Sequence, residues 1–360
     1  VSGGLDSSAT YAMAVHLQQR QRLPAPAVRG YTLDFAPGTP AHELEYARSV
    51  ARHTNTAIEE CAPALKPVAW YLQRASERCD LPDIPNGAMM LTMLETARAQ
   101  GARVMIGGYG GDEYTGVGTA GMYYADLLSE LQWTGLLQAF RRDVPQLGIL
   151  RTLWWFWRQG VAVLSPPSIK QFIRNFRSVP MLNPWWLDSR LKTVLAHRRV
   201  VNAGERNIKV ARHSQRRILR FYEHADLHHM MELSDYRSAR CGMEVRSAYY
   251  NKCMLQFALS TGEWTRQRGM EHRWLHRQAM RDLLPAMVRN RRDKADFGEM
   301  VFMTNEEIRR EHLNAVLVRR EQWLDKDAIE KLRTAPATLQ DIDVRDWVLW
   351  YLVCCDAVAG

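Results

Sequence analysis

The six cysteines (Cys61, Cys79, Cys241, Cys253, Cys354, Cys355) include no C-x-x-C pair. That excludes the usual zinc and disulfide spacings and points to reduced thiols in a cytoplasmic protein. The sequence shows no signal-peptide pattern, and no apolar run approaches the roughly 18 residues of a spanning helix. The longest run, Trp347–Cys355, suits a buried C-terminal helix. No HExxH pattern occurs. The histidine pairs at helical spacing, His224 with His228 and His272 with His276, have no third ligand, so no metal site is assigned to them. Acidic residues are scarce in one region. Between Arg141 and Arg220 there are 17 Lys/Arg against three acids (Asp143, Asp188, Glu205), a local charge of +14 in a chain whose total is +9. Such a segment suits an anionic partner (a nucleotide, an acidic peptide or a nucleic acid) or is a solvated arginine-rich face.

What is present is ordinary globular composition: 360 residues, 46% hydrophobic and 24% charged, enough for one large domain or two smaller ones. The most informative stretch is Val1–Ser8, VSGGLDSS. Gly3 and Gly4 let the backbone turn sharply and bring N–H groups to an anion. Ser2, Ser7 and Ser8 add hydroxyls, and Asp6 adds one carboxylate, enough to hold Mg²⁺ on a polyphosphate. Thr10–Gln19 reads as a helix whose N-terminal dipole faces the same anion. No lysine closes this cradle, so it is not a GxxxxGK[ST] loop. Val1 stands where the last residue of a buried strand belongs, which implies that the numbering begins inside a longer chain.

Further along, Val28–Phe35 and Thr56–Cys61 read as strands with a helix, Glu43–His53, between them. Ala88–Gln100 reads as a helix ended by Gly101, and Arg103–Ile106 as a strand entering a second glycine loop, Gly107–Gly118 (GGYGGDEYTGVG). This alternation implies parallel βαβ units. In that loop Asp112 offers a second carboxylate, Glu113 braces the turn and Tyr109 projects a phenol. Two such loops, each after a strand and each with one aspartate, reinforce one another.

From Met122 the pattern is helical and rich in Trp and Arg, as in Leu153–Arg158 (LWWFWR) and Asn183–Arg190 (NPWWLDSR). These aromatics are expected in the core with snorkelling arginines, the alternative being a surface that stacks bases or grips a peptide. His224–Arg240 reads as a helix ending near Gly242. In Gly242–Asn251 (GMEVRSAYYN), Glu244 and Arg246 alternate with apolar residues, as a buried ion pair would. Arg273–Leu284 reads as a helix stopped by Pro285, followed by a charged loop, Asn290–Glu299, that holds Lys294.

Together these stretches resemble the synthetase domain of the asparagine synthetase B family, within the ATP-pyrophosphatase loop superfamily. SGGLDSS matches its ATP loop and GGYGGDE its SGEGGDE loop. SDYRSARCGMEVRSAYYN is similar to its DraSMahslEvRvPflD segment, and WLHRQAMRDLLPAMVRNRRDKADF to its KyiLReal..LP..il.R.K..F segment. The resemblance covers nearly the whole chain. It implies an α/β fold, with a parallel sheet and flanking helices of the adenine-nucleotide α-hydrolase-like kind, plus a large helical part. The expected segments are an ATP-binding core (1–121), a basic aromatic-rich insertion (122–225) and a helical part with the lysine loop (226–360).

The resemblance also implies a chemistry. Mg²⁺ on ATP is held by Asp6 and Asp112. Ser2, Gly3, Gly4, Asp6, Ser7, Ser8 and Gly108 surround the phosphates, and Leu33 contacts adenine. A substrate carboxylate attacks the α-phosphate to give an acyl-adenylate and pyrophosphate, Lys294 stabilises the developing charge, and an amine completes the amide. The family's asparagine synthetases carry Glu where this chain has Tyr109, whereas the β-lactam synthetase branch carries Tyr there, paired with a Glu as base. Glu232 is the first candidate partner here and Asp226 the second. The usual VPFLD is SAYYN, without its aspartate.

These departures point away from a housekeeping asparagine synthetase, and the basic, aromatic-rich middle with the RRDKADF ending suggests a lasso-peptide macrolactam cyclase, with asparagine synthase as the alternative and a non-catalytic ATP- or RNA-binding module as a third reading. The expected partners are a carboxylate and an amine substrate, and a glutaminase-like domain or a precursor-peptide-processing protein. No membrane partner is expected, and nucleic acid is disfavoured.

Overall fold

The computed structural model describes residues 1–115, 123–166, 185–205, 210–268, 271–334 and 344–359. The expected border at 121/122, the end of the second glycine loop (Gly116–Gly118) and Asn183 lie outside these. Packing divides the chain into two units. Unit 1 comprises Val1–Ala62, Thr92–Phe172 and Lys209–Lys294; unit 2 comprises Pro63–Leu91, Ile173–Ile208 and Ala295–Gly360.

Unit 1 begins with α1 (Leu5–Gln19), which starts at Leu5 rather than Thr10. Gly4 is extended (φ −73°, ψ 154°) and serves as the N-cap, and Asp6 stands in the first turn, where the helix dipole favours a negative charge. The buried side of α1, including Leu5, Ala9, Ala12 and Val15, packs with Val50, Leu284 and Val288. The strand β1 (Gly30–Leu33) leads through α2 (Leu44–Thr54) to β2 (Ile58–Cys61), and the two strands pair in parallel, Gly30 opposite Ile58 and Leu33 opposite Cys61. Asn55, left-handed at φ 52°, ends α2.

After α3 (Val68–Arg78), which belongs to unit 2, the helix α4 (Leu91–Ala99) runs to the turn at Gly101. Then comes β3 (Val104–Gly107), paired in parallel with β4 (Glu244–Ser247). The short α5 (Gly111–Thr115) opens directly from the second glycine loop. Next are α6 (Tyr123–Ser129), α7 (Trp133–Leu147) and α8 (Ile149–Phe156), the last continuing through a π-helical turn at Trp157–Val161. Tyr123, Tyr124, Leu127 and Ala139 form their core, and both tyrosine hydroxyls donate to the buried Asp143.

In unit 2 the C-terminal helix Val344–Ala359 buries Leu349, Trp350, Val353 and Cys354 against Val68 and Tyr71 of α3. Trp185 and Trp186 pack on the same cluster. The Tyr71 hydroxyl donates to the Pro85 carbonyl (2.8 Å) and accepts from the Ala88 N–H (3.2 Å), so its burial leaves no polar group unmet.

Several expectations are corrected. The expected sheet is realised as two separate two-stranded parallel pairs among the described residues. The charged–apolar alternation within Gly242–Asn251 is a strand, β4. Alternation places Glu244 and Arg246 on one face, and here that face meets solvent: their ion pair (2.6 Å) is exposed, not buried. The helix expected over Arg273–Leu284 is regular only from Trp274 to Ala279. Turn hydrogen bonds follow, which carry Leu284 into the α1 core ahead of Pro285. In Leu153–Arg158, expected in the core, Trp155 and Phe156 pack on the Tyr123–Ala139 cluster, but Leu153, Trp154 and Trp157 are exposed.

Candidate active site

The first glycine turn is closed by its own hydroxyls. Gly3 has φ 78°, and a Cβ there would lie 2.3 Å from Cβ of Tyr46, so the position admits glycine alone. Ser2 Oγ and Ser7 Oγ are 2.8 Å apart. Ser7 Oγ accepts from the Ser2 N–H (3.1 Å), and Ser2 Oγ from the Gly4 N–H (3.2 Å). Ser8 is fully buried with its hydroxyl unpaired, and its N–H donates to the Gly4 carbonyl (3.2 Å). Leu33 ends β1, half-buried.

The second loop lies against this turn. A Cβ on Gly108 would approach the Ser7 nitrogen to 2.6 Å, and one on Gly111 would approach Asp6 Cγ to 2.3 Å. The absence of those two side chains lets the chain leaving β3 touch the start of α1. Asp112, the next residue in α5, is thereby brought beside Asp6.

Arg273 joins the two carboxylates. Its Nη1 is 2.7 Å from Asp6 Oδ2 and 2.8 Å from Asp112 Oδ1. Arg273 has φ 56°, a left-handed conformation that costs an arginine of order 1 kcal/mol and is found where side-chain placement is over-determined by its surroundings. Lys294 Nζ contacts the other Asp112 oxygen, Oδ2. Asp6 Oδ1 is buried without a hydrogen-bond partner. His276 Nδ1 lies 3.4 Å away but out of line, and is likewise unpartnered. The Tyr249 hydroxyl donates to the Asp6 carbonyl (3.3 Å) and lies 3.3 Å from His276 Nε2. Burial, with the Asp6 charge adding to it, pushes the Tyr249 phenol well above its usual range, so it stays a donor.

The loop carrying Lys294 is fixed at its start. Arg291, only 5% exposed, pairs with Glu43, lies 4.0 Å above the Tyr46 ring and reaches the Gly3 carbonyl. Arg277, also buried, donates to the carbonyls of Arg289 and Arg291. Desolvation lowers the Arg277 pKa, and its carbonyl partners offset part of that cost.

Tyr109 is 56% exposed, and its carbonyl accepts a hydrogen bond from the Ser247 hydroxyl. Ser247 Oγ in turn accepts from the N–H groups of Tyr249 (3.1 Å) and Tyr250 (3.3 Å). Asn251, where the family pattern has aspartate, caps the helix Lys252–Ser260 by accepting from Met254. Among the described residues no hydrogen bond or ion pair links Tyr109 to Glu232 or Asp226. Glu232 is exposed on the helix Ala225–Arg240, and Asp226, in its first turn, pairs with His224 (3.2 Å). Burial raises the pKa of Glu113, reinforced by the charges of Asp112 and Asp6 and opposed by Lys294. A surface cavity of about 190 Å³, lined among others by Thr32, Arg48 and Ile58, shares no residue with this cluster.

The structure thus brings together Ser2, Gly3, Gly4, Asp6, Ser7, Gly108, Asp112 and Lys294. Sequence reasoning missed Arg273, His276, Tyr249, Ser247, Arg277 and Arg291. No local signal marked Arg273, since it lies outside the helix Trp274–Ala279 in a left-handed conformation. The donor set fits Mg²⁺: two hard carboxylates, one with an orphaned buried oxygen, leave further positions for phosphate oxygens and water.

The strand β3, ending in a glycine loop that lies against the glycine turn before α1, and two carboxylates and two cations converging there give an α/β protein with paired charges gathered at a helix N-terminus. A sequence-family profile described as asparagine synthase matches residues 1–355, and the chain belongs to that family. It is also similar to the protein "Amidase chry2" of Gibberella zeae, 32% identical over 145 residues. That alignment covers 36% of this chain and 20% of the relative, so the chain spans about a fifth of the length of the curated relative it matches.

Proposed function

We propose that this chain is an ATP-dependent, AMP-forming amide ligase that works through an acyl-adenylate, and that its substrate is a peptide, closed by attack of its own N-terminal amine on an activated Asp or Glu side chain in the manner of a lasso-peptide cyclase. The observation that carries the ligase reading is the convergence of Asp6, Asp112, Arg273 and Lys294. In this reading the fold is adenine-nucleotide α-hydrolase-like, and β1 ends at Leu33 beside the adenine.

Mg²⁺, when bound by Asp6 and Asp112, supplies positive charge to phosphate oxygens. The chain's own groups do the rest. The free N–H groups at the start of α1 hold the departing pyrophosphate. Arg273 keeps the two carboxylates together, and Lys294 places its charge where negative charge grows on the α-phosphate and then on the tetrahedral oxyanion. Tyr109 carries the peptide-amine reading. An exposed phenol, its backbone held by Ser247, stands where the family's asparagine synthetases have glutamate. It suits an amine that must lose a proton inside the site, with a carboxylate as partner. The relative's printed name, an amidase, also belongs to amide chemistry.

Asparagine synthesis from aspartate is the second reading, favoured by the family match along almost the whole chain. A glutaminase-like domain is the expected partner in that case, and a precursor-peptide-processing protein in the first. The test follows pyrophosphate release and amide product separately with two substrate sets, aspartate plus ammonia and a linear peptide with a free N-terminus and an internal acid. Pyrophosphate release with the peptide, and a product lighter by one water, support the cyclase. Asparagine formation with no turnover of peptides would return the chain to the second reading.

A further inference from the structure

The helical hairpin of α7, α8 and the turn that continues it is apolar on two sides: Phe140, Trp155 and Phe156 pack on the Tyr123–Ala139 core, and a second apolar stripe is left outside. Along 149–164 the residues facing the protein include polar Thr152 and Gln159, both buried, whereas Leu150, Leu153, Trp154, Trp157, Val161 and Leu164 face solvent. Leu150 is 81% exposed and Trp157 54%. Their three- and four-residue spacing makes one continuous stripe, and a contiguous apolar face of this kind marks a docking surface rather than scattered surface residues.

The charge of the region selects the occupant. Residues 144–187 contain five Lys/Arg and no Asp or Glu. In the hairpin itself Asp143 is buried against Tyr123, Tyr124 and Arg142, so no exposed acid accompanies Arg151 and Arg158. Arg158 lies 4.8 Å above the exposed Trp154 ring, which keeps its charge level with the aromatic belt. Exposed tryptophan, arginine beside it and an apolar stripe lying along the surface form the pattern of a helix that rests in a membrane interface. Among the described residues no helix is long and apolar enough to cross a membrane, so the contact is peripheral.

We infer that the α7–α8 hairpin docks this protein onto an anionic phospholipid surface, with the Leu150–Leu164 stripe in the acyl boundary and Arg151 and Arg158 at the headgroups. This departs from the membrane-free set of partners expected from sequence.

The test is flotation of the full chain with vesicles of phosphatidylcholine alone and of phosphatidylcholine mixed with phosphatidylglycerol. The wild type floats with the anionic vesicles, and less so as salt rises. Leu150→Gln with Trp157→Gln raises the lipid needed for half-binding by more than about tenfold, since each side chain loses its burial. Arg151→Gln with Arg158→Gln weakens binding by roughly fivefold per charge on anionic vesicles, with no change on neutral ones. All four residues are exposed, so circular dichroism and thermal melting stay like those of the wild type. Failure of the wild type to float overturns the inference, as does undiminished flotation of both variants. A wild-type dimer that Leu150→Gln with Trp157→Gln converts to monomer also overturns it, because a second copy then covers the stripe.

Discussion

Lys294 and Asp112, 182 positions apart in the chain, meet through Nζ and Oδ2, while the other Asp112 oxygen is held by Arg273. Arg273 thus links Asp112 to Asp6, and the carboxylates are presented as a pair with their cations already in place.

Asp6→Asn and Asp112→Asn are each expected to abolish Mg²⁺-dependent pyrophosphate release while the protein stays folded. Release at the wild-type rate in either variant would remove the metal assignment. Arg273→Ala is expected to lower ATP affinity as well as turnover, because the carboxylates then repel one another without their shared guanidinium. An unchanged Kd for ATP would limit Arg273 to the chemical step.

Lys294→Ala should bind ATP with little change in Kd but lose turnover by about 10²–10³, the usual loss for one electrostatic contact to the transition state. A variant whose only defect is weaker ATP binding makes the lysine a ground-state ligand and defeats this role.

The loop anchor is tested with Arg291→Ala. Removing Arg291 from the largely covered Glu43 is expected to cost about 3 kcal/mol of stability and to lower turnover through misplacement of Lys294. The double variant Arg291→Ala/Lys294→Ala should then be no slower than Lys294→Ala alone, since the two losses are one loss. Fully multiplicative rate effects would separate the anchor from the lysine.

Tyr109→Phe should slow amide formation more than pyrophosphate exchange, because proton removal from the amine follows adenylation. Equal slowing of both steps, or asparagine production untouched by the change, would dismiss Tyr109 as part of the base.

Asp356, 7% exposed on the C-terminal helix, offers a pH test in unit 2. Burial opposes its charge, but hydrogen bonds from Arg319 (Nε, 3.1 Å) and Arg320 (Nε, 2.7 Å) outweigh that and hold its pKa below the usual carboxylate range. A depressed folded pKa contributes stability that is fully present above the unfolded value near ~4 and is lost as pH falls through the folded one. Asp356→Asn should therefore melt lower than wild type at neutral pH, by roughly 1–3 kcal/mol of stability, with the gap closing in acid. A gap unchanged at acid pH would mean that the residue's contribution is not ionic.

Local pattern in the sequence was enough for the elements whose causes are local. Glycine and aspartate at the two loops, the β-rich runs at Gly30–Leu33 and Ile58–Cys61, and helix stops at Gly101 and Gly242 depend on steric rules that act within a few residues. They were legible, as was the family, because four spaced motifs survive in order. The start of α1 at Leu5 was missed because Gly4 serves as N-cap without a side-chain hydrogen bond, leaving no capping residue to read. What the tertiary structure alone decided is which charges meet. Arg273 and His276 belong with Asp6 only because Leu284 and Val288 pack on α1, a contact of high sequence separation with no local signature. Arg277 and Arg291 read as loop or helix cations until their buried carbonyl and Glu43 partners are known. The exposed face of Leu153, Trp154 and Trp157 could not be told from a core face in one dimension. Helical periodicity marks that residues are apolar, but only the packing of Trp155 and Phe156 inward, beside Thr152 and Gln159, shows which side the protein covers.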